Sequence, residues 1–295
     1  MTAVDELAPD RPRAATPVGG WRLGLIGDPV AHSLSPAMHN AGLRSLDIPG
    51  HYERWRTDAN TLEERIASLR APDILGANVT VPHKQTVIAH LDAITPLADR
   101  VGAVNTIVRD GDRLIGDNTD VYGFTTALSG VTGDLRGGTA LVLGAGGASR
   151  AVVIGLEQLG LGRIVVANRS VGRAGRLIDE LDCRTAAAIG LDRDDDDLID
   201  ILATAAVLVN ATALGWHAGE TPIRLDLLDA LPDDAHVTDL TYRETDLLAA
   251  ARARGLSASD GLEMLVLQGA RALHLWTGRD APVAVMRDAA VAARG

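Results

Sequence analysis

The 295-residue chain contains a single cysteine, Cys183. One thiol excludes an internal disulfide framework and a cysteine-built zinc site, and it fits a reducing, cytoplasmic setting. Positive charge is in deficit: 28 Lys and Arg stand against 39 Asp and Glu, a net charge of -11. That balance argues against a general nucleic-acid or anionic-membrane binder, although a few local cations can still hold an anionic small molecule. No apolar run is long enough to span a bilayer. The opening MTAVDELAPDRPRAATPVGG has acidic residues and prolines where a signal peptide would have an apolar centre, so residues 1–20 are expected to form a flexible tail. Repeats at solenoid periods are missing. His39, His51 and His83 lack metal-ligand spacing, so they read as loop or surface residues and no metal site is expected. A Gly-x-Ser-x-Gly elbow is missing as well, which sets a serine hydrolase aside.

What is present is an ordinary globular composition, 46% hydrophobic and 23% charged, with length for two domains. WRLGLIGD (21–28), HYERWRT (51–57) and ILGANVTVP (74–82) read as strands. A helix from Pro36 and another in TLEERIASLR (61–70) separate them. AVNTIVRDGDRLIGDNTD reads as a strand and hairpin turning at Asp110-Gly111. Alternating strands and helices predict a mostly parallel sheet over 21–121. A second unit, 122–259, repeats the βαβ pattern: GTALVLGAGGASRAVVIGLEQLG, then RIVVANRS and VGRAGRLIDEL, then strands VLVNATALG and HVTDLTY with helices between them. This is the pattern of a Rossmann-like, doubly wound dinucleotide-binding domain. The run Asp194 to Asp197 reads as a solvated loop and helix start. From Asp260, LEMLVLQGARALHLW is helical, and TGRDAPVAVM suggests a break and one last short helix. The fold class is therefore α/β, in two domains.

Six stretches carry chemistry. In AHSLSPAMHN, Ser35-Pro36 marks a helix start, with Ser35 as its cap. Ser33 is either an ordinary loop serine or, with Ser35 and the helix N-terminus, part of an anion site. LVLGAGGASRA follows a strand and opens a helix. Gly144 permits the tight turn, Gly146 lets a pyrophosphate approach, and Ser149 stands where a third glycine often packs helix on strand. The next strand ends in VVANRS. Asn168 replaces the carboxylate usual in NAD-binding proteins, and Arg169, with Arg173 one turn further on, can pair with a 2′-phosphate, so NADP is favoured over NAD. Around other strand ends lie Asn78, Thr80 and Lys84 of NVTVPHK, and Asn105, Thr106, Asn118 and Asp120 of AVNT and GDNTD. Their amides and hydroxyls suit a polar, multi-hydroxyl substrate. Lys84 and Asp120 form either an acid–base pair that moves an alcohol proton during hydride transfer or a structural salt bridge.

Taken together, AHSLSPAMHN, GANVTVPHK, GAVNT, GDNTD, GAGGASRA, NRS, NAT and DGLEMLVLQGA resemble the shikimate dehydrogenase family, in its order, from Gly24 to Trp276. The resemblance implies NADP-dependent interconversion of 3-dehydroshikimate and shikimate, on the route to chorismate and the aromatic amino acids. It implies that Ser33 and Ser35 bind the substrate carboxylate and that Lys84 and Asp120 are the catalytic pair, with Lys84 the proton donor in reduction. Thr80, Asn105, Tyr242 and Gln268, with Asn78 nearby, would contact the substrate ring and its hydroxyls. Gly144, Ala145, Gly146, Gly147 and Ala148 would form the pyrophosphate loop. Asn168, Arg169, Ser170 and Arg173 would form the adenosine-phosphate loop, with Leu240 and Gly261 near the nicotinamide. The segment 260–295 is expected to return to the first domain and complete it.

The chain departs from the family pattern in places. TYRETDLLAA is two residues short after Tyr242, with Asp246 where proline is expected. Leu214 and Trp216 replace smaller or less bulky residues, and Glu263 replaces a common glycine. The rival readings are a quinate/shikimate dehydrogenase with relaxed nucleotide or substrate choice, an enzyme of an aminated shikimate analogue, and a non-catalytic NADP-binding regulatory paralogue. The expected partner is a small-molecule substrate, with neither nucleic acid nor membrane, and the expected state is monomer or homodimer.

Overall fold

The computed structural model describes residues 16–191 and 195–295. Most of the expected N-terminal tail, and Asp194 of the acidic run, lie outside the described residues. The chain divides into two compact units, one of residues up to Gly123 with Val266–Gly295, the other Phe124–Leu265.

The first unit contains β1 (Trp21–Gly27), α1 (Ser35–Ser45), β2 (Gly50–Arg56), α2 (Leu62–Ser68), β3 (Ile74–Val79), a 3-10 turn (Thr86–His90), β4 (Ala93–Ile94), α3 (Pro96–Val101), β5 (Thr106–Asp110), β6 (Arg113–Asp117) and the start of α4 (Asp120–Ser129). Its sheet runs β2-β1-β3-β5-β6-β4. β5 alone is antiparallel to its neighbours, so five of the six strands point one way. The reversal has a consequence for function. It lays the beginning of β5 beside the ends of β3 and β6, and the register pairs Thr106 with both Asn78 and Asp117. Polar residues far apart in sequence therefore share one sheet end. The hairpin turn is offset by one residue from expectation: Asp110 pairs with Arg113, leaving Gly111 and Asp112 as the turn. Ser35 is also corrected. It is the first helical residue of α1, not its cap, and the Ser33 hydroxyl accepts its N–H at 3.2 Å. Apolar side chains from β1, β3, α2 and the hairpin, among them Ile26, Ile66, Val79, Ile107 and Leu114, fill one core of this unit.

The second unit follows with β7 (Thr139–Leu143), α5 (Gly147–Gln158), β8 (Arg163–Asn168), α6 (Val171–Leu181), β9 (Ala186–Gly190), α7 (Asp195–Leu202), β10 (Ala205–Asn210), a 3-10 turn (Leu225–Ala230), β11 (His236–Asp239), α8 (Asp246–Ala253), β12 (Ser257–Ser259) and the start of α9 (Leu262–Thr277). The chain ends in α10 (Val283–Arg294). All strand pairs of this sheet are parallel, in the order β12-β11-β10-β7-β8-β9. That is the doubly wound order, with its switch point between β7 and β10, where such sheets take ligands. One expected helix is missing. Between β10 and β11 there is only the 3-10 turn, because Gly215, Gly219, Pro222 and Pro232 interrupt any longer helical run. Both edge strands escape sequence reading, since Ala-Ala-Ala and Ser-Ala-Ser carry little strand signal.

Candidate active site

In the first unit Lys84 follows β3 and is held by its backbone, whose carbonyl accepts from Val104 N at 2.7 Å. Asp120 opens α4. The Asn118 side chain caps that helix, accepting from the N–H groups of Asp120 and Val121 at 3.1 and 3.3 Å. Lys84 Nζ and Asp120 Oδ2 meet at 2.6 Å, with side chains 16% and 8% exposed. The second carboxylate oxygen accepts from Asn105 Nδ2 at 2.7 Å. The same amide nitrogen reaches Gln268 Oε1 at 3.2 Å, which brings α9 into the group. Asn105 Oδ1 accepts from Thr119 N and from the Thr106 hydroxyl. Asn78 Nδ2 donates to Asn105 O and Thr106 Oγ1, both at 3.1 Å. Lys84, Asp120, Asn105, Gln268 and Asn78 thus form one buried lattice in which the reach of each amide is set by its neighbours.

Tyr52 of β2 extends the lattice and was missed by sequence reasoning. Its hydroxyl donates to Asn78 Oδ1 at 2.8 Å, and the Ser35 hydroxyl lies beside it. Asn40 clamps its backbone from both sides, through Oδ1 to Tyr52 N and Nδ2 to Tyr52 O. His39 stacks on its ring at 4.3 Å. His39 is therefore not the loop or surface residue expected. It is fully buried on α1, and burial lowers its pKa to about 3. His83 is corrected likewise: it is buried, with Nε2 at 2.7 Å from Thr57 O. His51 is exposed beside Glu53. Nothing in the spacing of HYERWRT marks Tyr52, because its partners Asn78, Asn40 and His39 come from β3 and α1. Ser33 is partly exposed. By accepting the Ser35 N–H it keeps its own hydroxyl proton to donate. Thr80 lies just past β3 with its methyl over Gly27.

The remaining residues belong to the second unit. Gly144 adopts φ +105°, a conformation that favours glycine, and a side chain there would crowd Ala211 and Thr212 after β10. Gly146 caps α5 and faces open space. Ser149 is buried and its hydroxyl accepts the Gly146 N–H at 3.1 Å. Gly147 and Ala148 begin α5, where N–H groups have no helical partner. Asn168 ends β8 and donates to Ser170 O at 2.9 Å. Ser170 caps α6, and Arg169 and Arg173 flank it, both exposed. Gly261 is packed so closely that a Cβ would lie 2.1 Å from Leu240 O, so no other residue fits there without a backbone shift. Leu240 and Gly261 line one cavity, with Thr238, Asp260 and Met264. Tyr242 is partly buried, edge-on to Trp216.

Comparison with known proteins agrees with the two-domain α/β fold. A family model for the shikimate dehydrogenase substrate binding domain matches residues 25–107. One for shikimate / quinate 5-dehydrogenase matches 127–217, and one for the shikimate 5'-dehydrogenase C-terminal domain matches 261–291. The chain is 44% identical, over 95% of its length and 97% of the relative's, to the NADP(+) shikimate dehydrogenase of Symbiobacterium thermophilum. A crystal structure of shikimate 5-dehydrogenase from Thermus thermophilus, in complex with NADP(H) and shikimate, is similar with a TM-score of 0.82 at 40% identity, over 92% of this chain and 99% of that one. A quinate dehydrogenase from Corynebacterium glutamicum, in complex with NAD, has a TM-score of 0.82 at 31% identity, again over 92% and 99%. This chain belongs to the shikimate dehydrogenase family.

Proposed function

We propose that the protein is an NADP-dependent shikimate dehydrogenase, reducing 3-dehydroshikimate reversibly to shikimate for chorismate and aromatic amino acid biosynthesis. The observation that carries this reading is the Lys84–Asp120 contact at 2.6 Å, set in a lattice of amides and hydroxyls. A salt bridge needed only for stability would not require Asn105 to donate to the second carboxylate oxygen while the same amide is held by Gln268 Oε1. The second unit fits NADP. Gly146 leaves room for a pyrophosphate at the start of the twelve-residue α5, and Arg169 and Arg173 offer cations with Asn168 in place of a repelling carboxylate. Gly144 to Ala148 would hold the pyrophosphate, Asn168 to Arg173 the adenosine phosphate, and Leu240 and Gly261 the nicotinamide end.

The bound nicotinamide ring supplies hydride in reduction and accepts it in oxidation. The chain's own residues manage binding and the proton. Ser33 and Ser35 donate hydroxyl protons to the substrate carboxylate. Asn78, Thr80, Asn105, Tyr242 and Gln268 orient the ring through its hydroxyls. In reduction Lys84 Nζ–H donates to the C3 oxygen as negative charge develops there, and Asp120 holds Nζ in place. In oxidation the pair takes the C3 hydroxyl proton. The cytoplasm is the proposed setting.

The test is the rate of reduced-nucleotide formation with shikimate or quinate, each paired with NADP or NAD. Turnover of shikimate with NADP, lost in Lys84→Ala, is expected. Preference for quinate or for NAD would move the chain to the rival dehydrogenase, and no turnover with any pair would overturn the reading.

A further inference from the structure

The departures from the family pattern noted in the sequence, Trp216, Asp246 and the short segment after Tyr242, meet in one place. Segments 211–220 and 240–246 follow β10 and β11 at the C-terminal edge of the parallel sheet. Asp239 Oδ2 accepts from Asn210 Nδ2 at 2.9 Å and from the Thr245 hydroxyl at 3.0 Å, joining the two strand ends. Asp246 Oδ2 accepts the Gly219 N–H at 2.6 Å. Arg243 donates to Trp216 O at 2.8 Å, and its guanidinium lies 5.8 Å from the centre of the Trp216 ring. Trp216 and Tyr242 meet edge to face, centroids 5.3 Å apart at 84°. Asp246 and Arg243 of the short segment are thus two of the ties that bring Trp216 to Tyr242.

We propose that Trp216 is a positioning residue that sets the rotamer of Tyr242 on the short segment. The inference rests on the proposed substrate contact of Tyr242. The Tyr242 side chain has alternative staggered rotamers. The edge-to-face contact, anchored by Arg243, favours one of them by about three- to tenfold. Order established before binding lowers the cost of ordering the ring when substrate arrives. The effect should therefore fall on substrate affinity and leave the hydride step alone.

Trp216 also reports on itself. Of four tryptophans, Trp21, Trp55 and Trp276 are buried and Trp216 is exposed. The experiment compares wild type, Trp216→Phe and Trp216→Ala by steady-state kinetics and tryptophan emission. Trp216→Ala should raise KM for shikimate about three- to tenfold, with kcat and KM for NADP within about twofold, and Trp216→Phe should restore most of the loss. Shikimate alone should change the emission of wild type and not that of Trp216→Phe. An unchanged KM for shikimate in Trp216→Ala, or an equal rise in both KM values with a lower Tm, would overturn the proposal. If wild type shows the emission change without turnover, the reaction assignment fails and the positioning role survives. If Trp216→Phe shows the same emission change as wild type, the positioning role fails.

Discussion

At the scale of single residues, Lys84 and Asp120 are coupled by burial. Removing either leaves the other as an uncompensated charge in a largely dry site, so a loss of activity must be separated from a loss of stability. Lys84→Ala should lower kcat by about 10²- to 10⁴-fold, the range of a lost general acid, while KM for NADP stays near wild type. A kcat within tenfold of wild type would return the pair to a structural role. Tyr52 offers a different check. Tyr52→Phe keeps the stack on His39 and removes only the hydroxyl that donates to Asn78. The orphaned acceptor should cost about 1–3 kcal/mol in urea unfolding. KM for shikimate should rise with it, because Asn78 and Ser35 both lose a fixed neighbour. An unchanged unfolding midpoint would show that the hydroxyl bears no weight.

At the scale of elements, the proposed function assigns nucleotide choice to the turn between β8 and α6. Asn168 spends its amide on Ser170 O, which shapes the turn and leaves the charge to Arg169 and Arg173. Replacing both arginines with alanine should raise KM for NADP by about ten- to a hundredfold, the worth of charge-assisted hydrogen bonds, and leave KM for NAD nearly unchanged. Equal losses for both nucleotides would mean that the arginines support the turn and do not read the 2′ position. The reversed strand β5 is the other decisive element. It sets Asn105 and Thr106 against Asn78 and the end of β6, and hairpin chemistry around Gly111 made the reversal readable. The outcome, three strand ends converging on one lattice, was not readable.

At the scale of the whole molecule, acid sensitivity follows from two buried histidines. Burial lowers His39 to about 3 and His236 to about 4. In the unfolded chain both would titrate near 6.5. As pH falls through that value the unfolded chain takes up protons that the folded chain refuses, so stability is full above about 6.5 and declines toward the folded values. Between pH 7 and pH 5, His39 alone should remove about 2 kcal/mol. His39→Phe, which keeps an aromatic ring against Tyr52, should flatten that part of the dependence in urea unfolding at the two pH values. Parallel losses in wild type and variant would assign the sensitivity elsewhere.

The sequence by itself determined the α/β class, the doubly wound second unit, the glycine turn, the Asn168-Arg169 signal and the pairing of Lys84 with Asp120 as candidates. Each of these is written in local chemistry: periodicity, turn residues, or charge at a strand end. It misplaced His39, His83 and the cap of α1, supplied a helix where glycines and prolines leave a 3-10 turn, and passed over Tyr52. Those outcomes depend on which surfaces meet, and burial of an imidazole or a phenol is a property of neighbours far along the chain. Only the tertiary structure joined Tyr52 to Asn78 across β1, brought Gln268 to Asn105 over 163 residues, and tied Trp216 to Tyr242. Long-range packing decides such contacts, because the free energy that holds them comes from desolvation shared among many elements and not from any one segment.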